Sequence, residues 1–431
     1  MNASSLTLAL CCALPLVAVA DDWPQYRGPN RDDVSAEKGL LKDWPKEGPK
    51  LLWTYRNAGI GYSGPAIVGD RLYTMGARDG KEYLIALDTS SFVDGNVREA
   101  WATEIGPLFD FKGNNWSAGP SATPTVDGDL IFALGGNGDL VCVGKADGKV
   151  VWKKNLPADL AAEVNPIGGG PKKLGWGFTW SPLVDGDQLV CLPGGPQGTV
   201  AALNKKTGEV LWRSKEVTQQ AAYASPMLAE VNGQRQYVVL TNQGVFGVSA
   251  QDGSLLWMWE TKYGTEVVNS PIVRGSLVYV TVGGAHGCTL LRIKPSDGKF
   301  AAEEVYTNRN LANHHGNVVL VGEHIYGAGG RGWLCQSLES GEIAWTERAK
   351  LRAGSVTYAD GQLFTYAEGD GTLAVVEANP TAPNIVATFR IPEQSKLRKP
   401  SGKIWTPPVV ANSKLFLRDQ ELIFCYDVAG K

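Results

Sequence analysis

The chain has 431 residues, 43% of them hydrophobic, with 41 basic side chains against 44 acidic ones and a net charge of −3. Nucleic acid is excluded as a partner class, because phosphate binding needs clustered Lys and Arg. The 52 glycines and 24 prolines cut the chain into short apolar runs without a long helical period, a composition of strands and turns.

Residues 6–19 are apolar and lead to the small pair Ala18 and Ala20, which fits a signal peptide of residues 1–20 cut before Asp21. No Lys or Arg precedes the stretch, and no lipobox precedes Cys11 or Cys12, so export without lipidation is expected. No later apolar run approaches the ~18 residues of a membrane span, so no transmembrane segment is predicted. Five cysteines remain (Cys142, Cys191, Cys288, Cys335, Cys425), none at C-x-x-C spacing and each beside a strand-like run, and they are expected to be small core residues.

Residues 21–50 form a lead-in segment. Then LLWTY at 51–55 stands alone, a strand with no partners just ahead of it. A longer unit follows and recurs. ATPTVDGDLIFALGG with LVCVGKADGKVVW closes on Trp152, and WSPLVDGDQLVCLPGG with GTVAALNKKTGEVLW closes on Trp212. ASPMLAEVNGQ with VSAQDGSLLW closes on Trp257. Each unit reads as four strands, with an Asp-Gly or Asn-Gly turn after the first and a Thr-Gly or Asp-Gly turn before the last. The closing aromatics are Trp53, Trp101, Trp152, Trp212, Trp257, Tyr306, Trp345 and Phe389, seven intervals over 336 residues with a mean of 48. Four strands at that period make a β-propeller blade. The final stretch, WTPPVVANSKLFLRDQELIFCYD, supplies three strands and no Trp strand, so it complements LLWTY. The expected fold is therefore all-β: one eight-bladed propeller over residues 51–431, its ring closed by the N-terminal strand. The tryptophans Trp53, Trp101, Trp152, Trp212, Trp257 and Trp345 are expected to dock blade against blade.

The run ALNKKTGEVLW at residues 202–212 resembles the tryptophan-docking repeat of the PQQ-like, quinoprotein-type propellers. DWPQYRGPNRDDVS at residues 22–35 resembles the lead-in of exported bacterial propellers of the BamB-like kind. The resemblance implies the fold, an exported, periplasmic or envelope-associated location, and a choice of roles: quinoprotein dehydrogenase, outer-membrane assembly factor or binding scaffold. Fold alone does not decide among them.

Other motifs reduce to turns. GAGGRG at 327–332 matches a dinucleotide fingerprint, but it is followed by two strand-like runs rather than a helix. Asp127-Gly-Asp129 and Asp185-Gly-Asp187 hold equivalent hairpin positions and lack the further ligands of a calcium loop. Asn115-Trp-Ser117 is a sequon in form only, given the bacterial resemblance.

In a propeller the fourth-to-first and second-to-third connections emerge on one face. That places His286, the adjacent His314 and His315, and Arg331 together, with His324 on the other face. Trp116, Trp176, Trp180, Tyr223, Asn269 and Trp405 lie in connections of the same face and complete the candidate binding set. The insertion NPIGGGPKKLGWGF at 165–178 joins them. No metal site is expected, because adjacent side chains of an extended chain point apart. Histidines on such a face are expected to make binding vary between about pH 5 and 8.

No nucleophile–base pair is visible, so no catalytic residue is assigned, and the leading expectation is a non-catalytic, monomeric scaffold that binds an envelope protein, peptide or glycan. The resemblance keeps PQQ and calcium open as cofactors. Lys172, Lys173, Arg331 and Arg352 are the cations available to them, but the vicinal cysteine pair of the quinoprotein enzymes is missing.

Overall fold

The repeats fold as four-stranded antiparallel sheets whose turn glycines take the left-handed conformation that tight hairpins need, with Asn412, Ser413 and Gln420 taking it in the eighth blade. In the third blade the strands are Leu183–Asp185, Gln188–Cys191, Ala201–Asn204 and Val210–Arg213. Gly186 (φ 60°) and Gly208 (φ 75°) turn the first and last hairpins. Strands covered by blades on both sides are continuously buried, as in Leu130–Leu134 and Asp139–Gly144, whereas Val210 and Leu211 on an outer strand are half exposed.

The computed structural model describes residues 22–167, 174–330 and 332–430, so the expected signal segment, Lys172, Lys173 and Arg331 lie outside the described residues. The described residues form eight sheets in a ring, an eight-bladed β-propeller. They include no helix long and apolar enough to cross a membrane. All five cysteines are buried and free.

The closing aromatics hold the ring together. The Trp152 indole donates to the Lys205 carbonyl of the next blade at 2.9 Å, and a Cβ added at Gly208 would stand 2.9 Å from the Trp152 ring. Only glycine lets the neighbour's turn lie flat on the indole. Trp101 meets Gly148 in the same way, Trp212 stacks on Tyr237, and Trp345 donates to Asn379. Trp53, Trp257 and Trp345 are buried, while Trp101, Trp152 and Trp212 are only half-buried on their outer strands.

Ser-Pro or Thr-Pro pairs precede the first strands of the second, third, fourth, fifth and eighth blades. Ser181 Oγ accepts the Thr123 N–H at 2.9 Å, Ser225 Oγ accepts the Ser181 N–H at 2.9 Å, and Ser270 Oγ accepts the Ser225 N–H at 3.2 Å. These hydroxyls link neighbouring blades where prolines cannot donate.

The ring closes as the complementary ends require. Leu51–Tyr55 pairs antiparallel with Leu422–Asp427, Trp53 opposite Cys425. Arg418, 1% exposed, staples the seam by donating to the Ser63 and Met75 carbonyls at 2.7 Å and to Thr74 Oγ1 at 2.8 Å.

The lead-in does more than precede the first blade, because residues 23–35 plug the axial channel. Trp23 bridges Ile67 in the first blade, the Pro24 carbonyl accepts the Val126 N–H of the second, and Arg31 donates to the Ser181 and Pro182 carbonyls entering the third. Arg27 donates to the Val318 carbonyl of the sixth blade at 2.9 Å, and Val34 pairs in parallel with Tyr358 of the seventh. Asp22 accepts the Gly69 N–H, and Glu37 accepts the Asn412 and Ser413 N–H groups, all at turns opposite the candidate face. The segment thus enters from that opposite face and returns to it. Arg27 and Asp33 form an ion pair at 2.6 Å with both side chains 1% exposed. Burial pushes Asp33 up to about 6, against the pull of Arg27. Left-handed φ at Arg27, Arg31 and Asp33 costs about 1–3 kcal/mol each, which the surrounding contacts must offset.

Candidate functional site

The fourth-to-first connections converge on a funnel of about 460 Å³ at the end of the channel above the plug. Its wall takes Tyr62 from the connection entering the first blade, Trp116, Ser121 and Thr123 from the second, Trp176 and Thr179 from the third, and Tyr223 and Ser225 from the fourth. Glu266, His314, His315, Lys403 and Trp405 come from later connections, and Glu368 from the turn between the second and third strands of the seventh blade. Tyr26 of the plug completes the lining, its hydroxyl held by Asn317 at 3.1 Å.

His314 and His315 do not point apart. Their ring centroids are 4.0 Å apart, because the chain bends here, with Gly316 at φ 93°, instead of running extended. His315 stacks on Trp405 at 4.7 Å with 19° between the planes, and Tyr62 lies 5.2 Å away on the same indole. His314 Nε2 stands 3.4 Å from Glu266. Glu368 accepts from the Trp405 indole at 3.1 Å and pairs with Lys403.

The electrostatics follow from these contacts. Burial, then neighbouring His314 and Lys403, push His315 well below the usual imidazole range, so this half-buried ring stays neutral where it was expected to titrate. Burial raises Glu266, but its own backbone N–H, Thr265 and His314 outweigh that and hold the carboxylate below its ordinary value. Tyr223 accepts the Trp176 N–H at 3.2 Å and donates to the Ile167 carbonyl at 2.5 Å, clamping the insertion to the wall, and burial raises its pKa.

Of the sequence candidates, Trp116, Trp176, Tyr223, His314, His315 and Trp405 line the funnel. Trp180 does not. It is 0% exposed, wedged in the core where the chain turns down into the Ser-Pro pair of the third blade. Asn269 is 2% exposed and works from behind, donating to the Asn313 carbonyl at 2.7 Å and accepting the Asn317 N–H at 3.2 Å, so it braces the histidine loop. His286 lies outside the funnel, edge-on to Tyr263 and accepting the Gly264 N–H at 3.2 Å. His324 opens the second strand of its blade at the opposite face. Arg352 is exposed and does not line the funnel, and Arg331 falls outside the described residues. Sequence reasoning missed Tyr26, Tyr62, Glu266, Glu368 and Lys403. The two carboxylates and the lysine sit in polar loops that read as solvated, and only their position in fourth-to-first or second-to-third connections marked them.

Residues 92–347, more than half of the chain, match the family model described as outer membrane protein assembly factor BamB. The chain belongs to that PQQ-repeat family. It is 22% identical over 362 residues, 76% of its length and 86% of the relative's, to outer membrane protein assembly factor BamB of Burkholderia pseudomallei. It is 28% identical over 194 residues to quinoprotein alcohol dehydrogenase PedH of Pseudomonas putida, which covers 42% of this chain but 28% of that protein. The crystal structure of BamB from Moraxella catarrhalis superposes with a TM-score of 0.58 at 12% identity, covering 88% of this chain and 97% of that one, which is a likeness of fold.

Among the described residues the funnel's donor set does not fit a quinone cofactor with calcium. Among the described residues lining the funnel the one Lys or Arg is Lys403, already tied to Glu368, while two carboxylates face the space where a polycarboxylate would sit. Among the described residues no group of three His, Cys, Asp or Glu side chains converges as a cation site would require.

Proposed function

We propose that this protein is exported to the cell envelope and acts there as a non-catalytic binding or scaffold propeller through its funnel face. The observation that carries the reading is the aromatic funnel of about 460 Å³, fed by seven connections and floored by Tyr26. A concave, largely apolar pocket with a few placed polar groups is the usual form of a binding site, and the chain commits its own N-terminal segment to closing it. Buried Arg27 and Asp33 hold that floor rigidly instead of performing chemistry at the surface. The assembly-factor relatives make an outer-membrane protein one class of partner to look for.

The test is expression of the full chain with a C-terminal tag, envelope fractionation, and crosslinking before capture. The wild-type chain should fractionate with the envelope, begin at Asp21, and retain an envelope component. The Trp116→Ala, Trp405→Ala double variant should lose that component, and His324→Ala, on the opposite face, should keep it. Equal retention by all three removes the funnel reading, and turnover of an alcohol with added PQQ and calcium replaces it with an enzyme.

A further inference from the structure

The funnel also states what it accepts. Resting on the reading above, we infer that the site takes a neutral saccharide, one or two rings at the end of a glycan.

Four observations lead there. The volume, about 460 Å³, lies in the ~300–1,000 Å³ range of small-molecule sites. Tyr26 closes the base, so a terminal unit stops in the funnel and a polymer does not thread it.

The charges are spent internally. Glu266 faces His314 at 3.4 Å, and Glu368 holds Lys403 and the Trp405 indole. An anion entering would meet two carboxylates, and a cation would have to displace a partner already in place. An ionised carboxylate offers about four acceptor sites. Three are used at Glu266 and two at Glu368, so lone pairs remain for hydroxyl donors. Ser121 adds a hydroxyl that can give and accept, and Thr179, whose own proton goes to the Tyr223 carbonyl, adds an acceptor.

The walls complement a sugar ring's division into an apolar C–H face and a polar rim. Trp116 leaves 47% of its surface exposed at the funnel. Trp405 is held by the His315 and Tyr62 rings and by Glu368, so its orientation is set before any ligand arrives. The lining consists of side chains from separate connections, whereas an extended peptide draws its main-chain bonds from a sheet edge.

The experiment is a tryptophan-fluorescence titration of the full chain with maltose, cellobiose and N,N′-diacetylchitobiose, beside citrate and tri-alanine. At least one disaccharide should saturate with a Kd below about 1 mM. Trp116→Ala and Glu266→Gln, both at solvent-accessible positions and checked for an unchanged melting temperature, should each weaken it at least tenfold, and His324→Ala should leave it alone. The inference is overturned if no disaccharide binds up to about 10 mM, or if citrate or tri-alanine binds more tightly than every sugar. Loss of the envelope component in the Trp116→Ala, Trp405→Ala double variant without disaccharide binding would sink the saccharide while leaving the funnel reading. Retention unaffected by that variant, with no sugar bound, would sink both.

Discussion

Trp257→Ala is the sharpest probe of blade docking. Trp257 is 2% exposed in the core between the fourth and fifth blades, and its indole donates to Gln236 Oε1 at 2.6 Å. Gln236 is itself 0% exposed, so truncation removes a large apolar group and also strands a buried amide oxygen. The cavity costs about 3–5 kcal/mol. The stranded acceptor adds about 1–3 kcal/mol. The expected loss of about 4–8 kcal/mol is a large share of the ~5–15 kcal/mol a native domain holds in reserve. Trp257→Phe keeps most of the ring and loses chiefly the hydrogen bond, so it should cost distinctly less. Urea unfolding of the three proteins, followed by far-UV circular dichroism and by fluorescence, provides the measurement. The two signals must coincide before midpoints are turned into free energies. An alanine variant within about 1 kcal/mol of wild type would refute the docking account. So would a phenylalanine variant as unstable as the alanine one.

Trp212, half-buried and stacked on Tyr237, should lose only about 1–3 kcal/mol on truncation to alanine in the same titration, well short of a fully buried Trp. Glu82 is 0% exposed, accepts the Phe109 and Gly136 N–H groups, and is raised by burial from 4.5 to about 7, so the folded chain holds its proton more tightly than the unfolded one. The associated stability is full below about pH 4.5 and lost as pH rises through about 7, up to about 3 kcal/mol, and Glu82→Gln should flatten a plot of urea midpoint against pH. Gly208→Val forces a branched residue to φ 75° against the Trp152 ring and should lower the urea midpoint by several kcal/mol equivalent, on the order of 3 kcal/mol, where Gly186→Val, with open space at its turn, should cost less. Removing residues 22–35 should leave eight blades by circular dichroism but open the funnel floor, read as faster acrylamide quenching of tryptophan.

The blades were legible because their signal is local and repeated. An Asp-Gly turn, an apolar run and a closing Trp recur often enough that Leu51–Tyr55 and the last three strands identify each other as halves. The plug was not legible, because residues 23–35 carry no period and satisfy their polar groups on blades far away in sequence. Arg27 reads as a surface arginine until Val318 and Asp33 are placed beside it. Trp176 and Trp180 show the same limit at closer range. Four residues apart in one loop, one lines the funnel and the other is core, and only the descent into the Ser-Pro pair separates them. The histidine pair was placed on the right loop, but the bend at Gly316 that brings its rings together leaves no trace in composition.

The placement of the plug also dictates an order of events during biogenesis. Arg27 emerges early in synthesis and its carbonyl partner at Val318 follows 291 residues later. Leu51–Tyr55 must wait longer still, for Leu422–Asp427 at the far end. Until then the nascent chain carries Leu51–Tyr55 as an unpaired strand, the kind of edge that associates with other chains. Closure of the ring is thus postponed until Leu422–Asp427 has been made, and a cell making this protein must keep an almost finished ring apart from its copies until then.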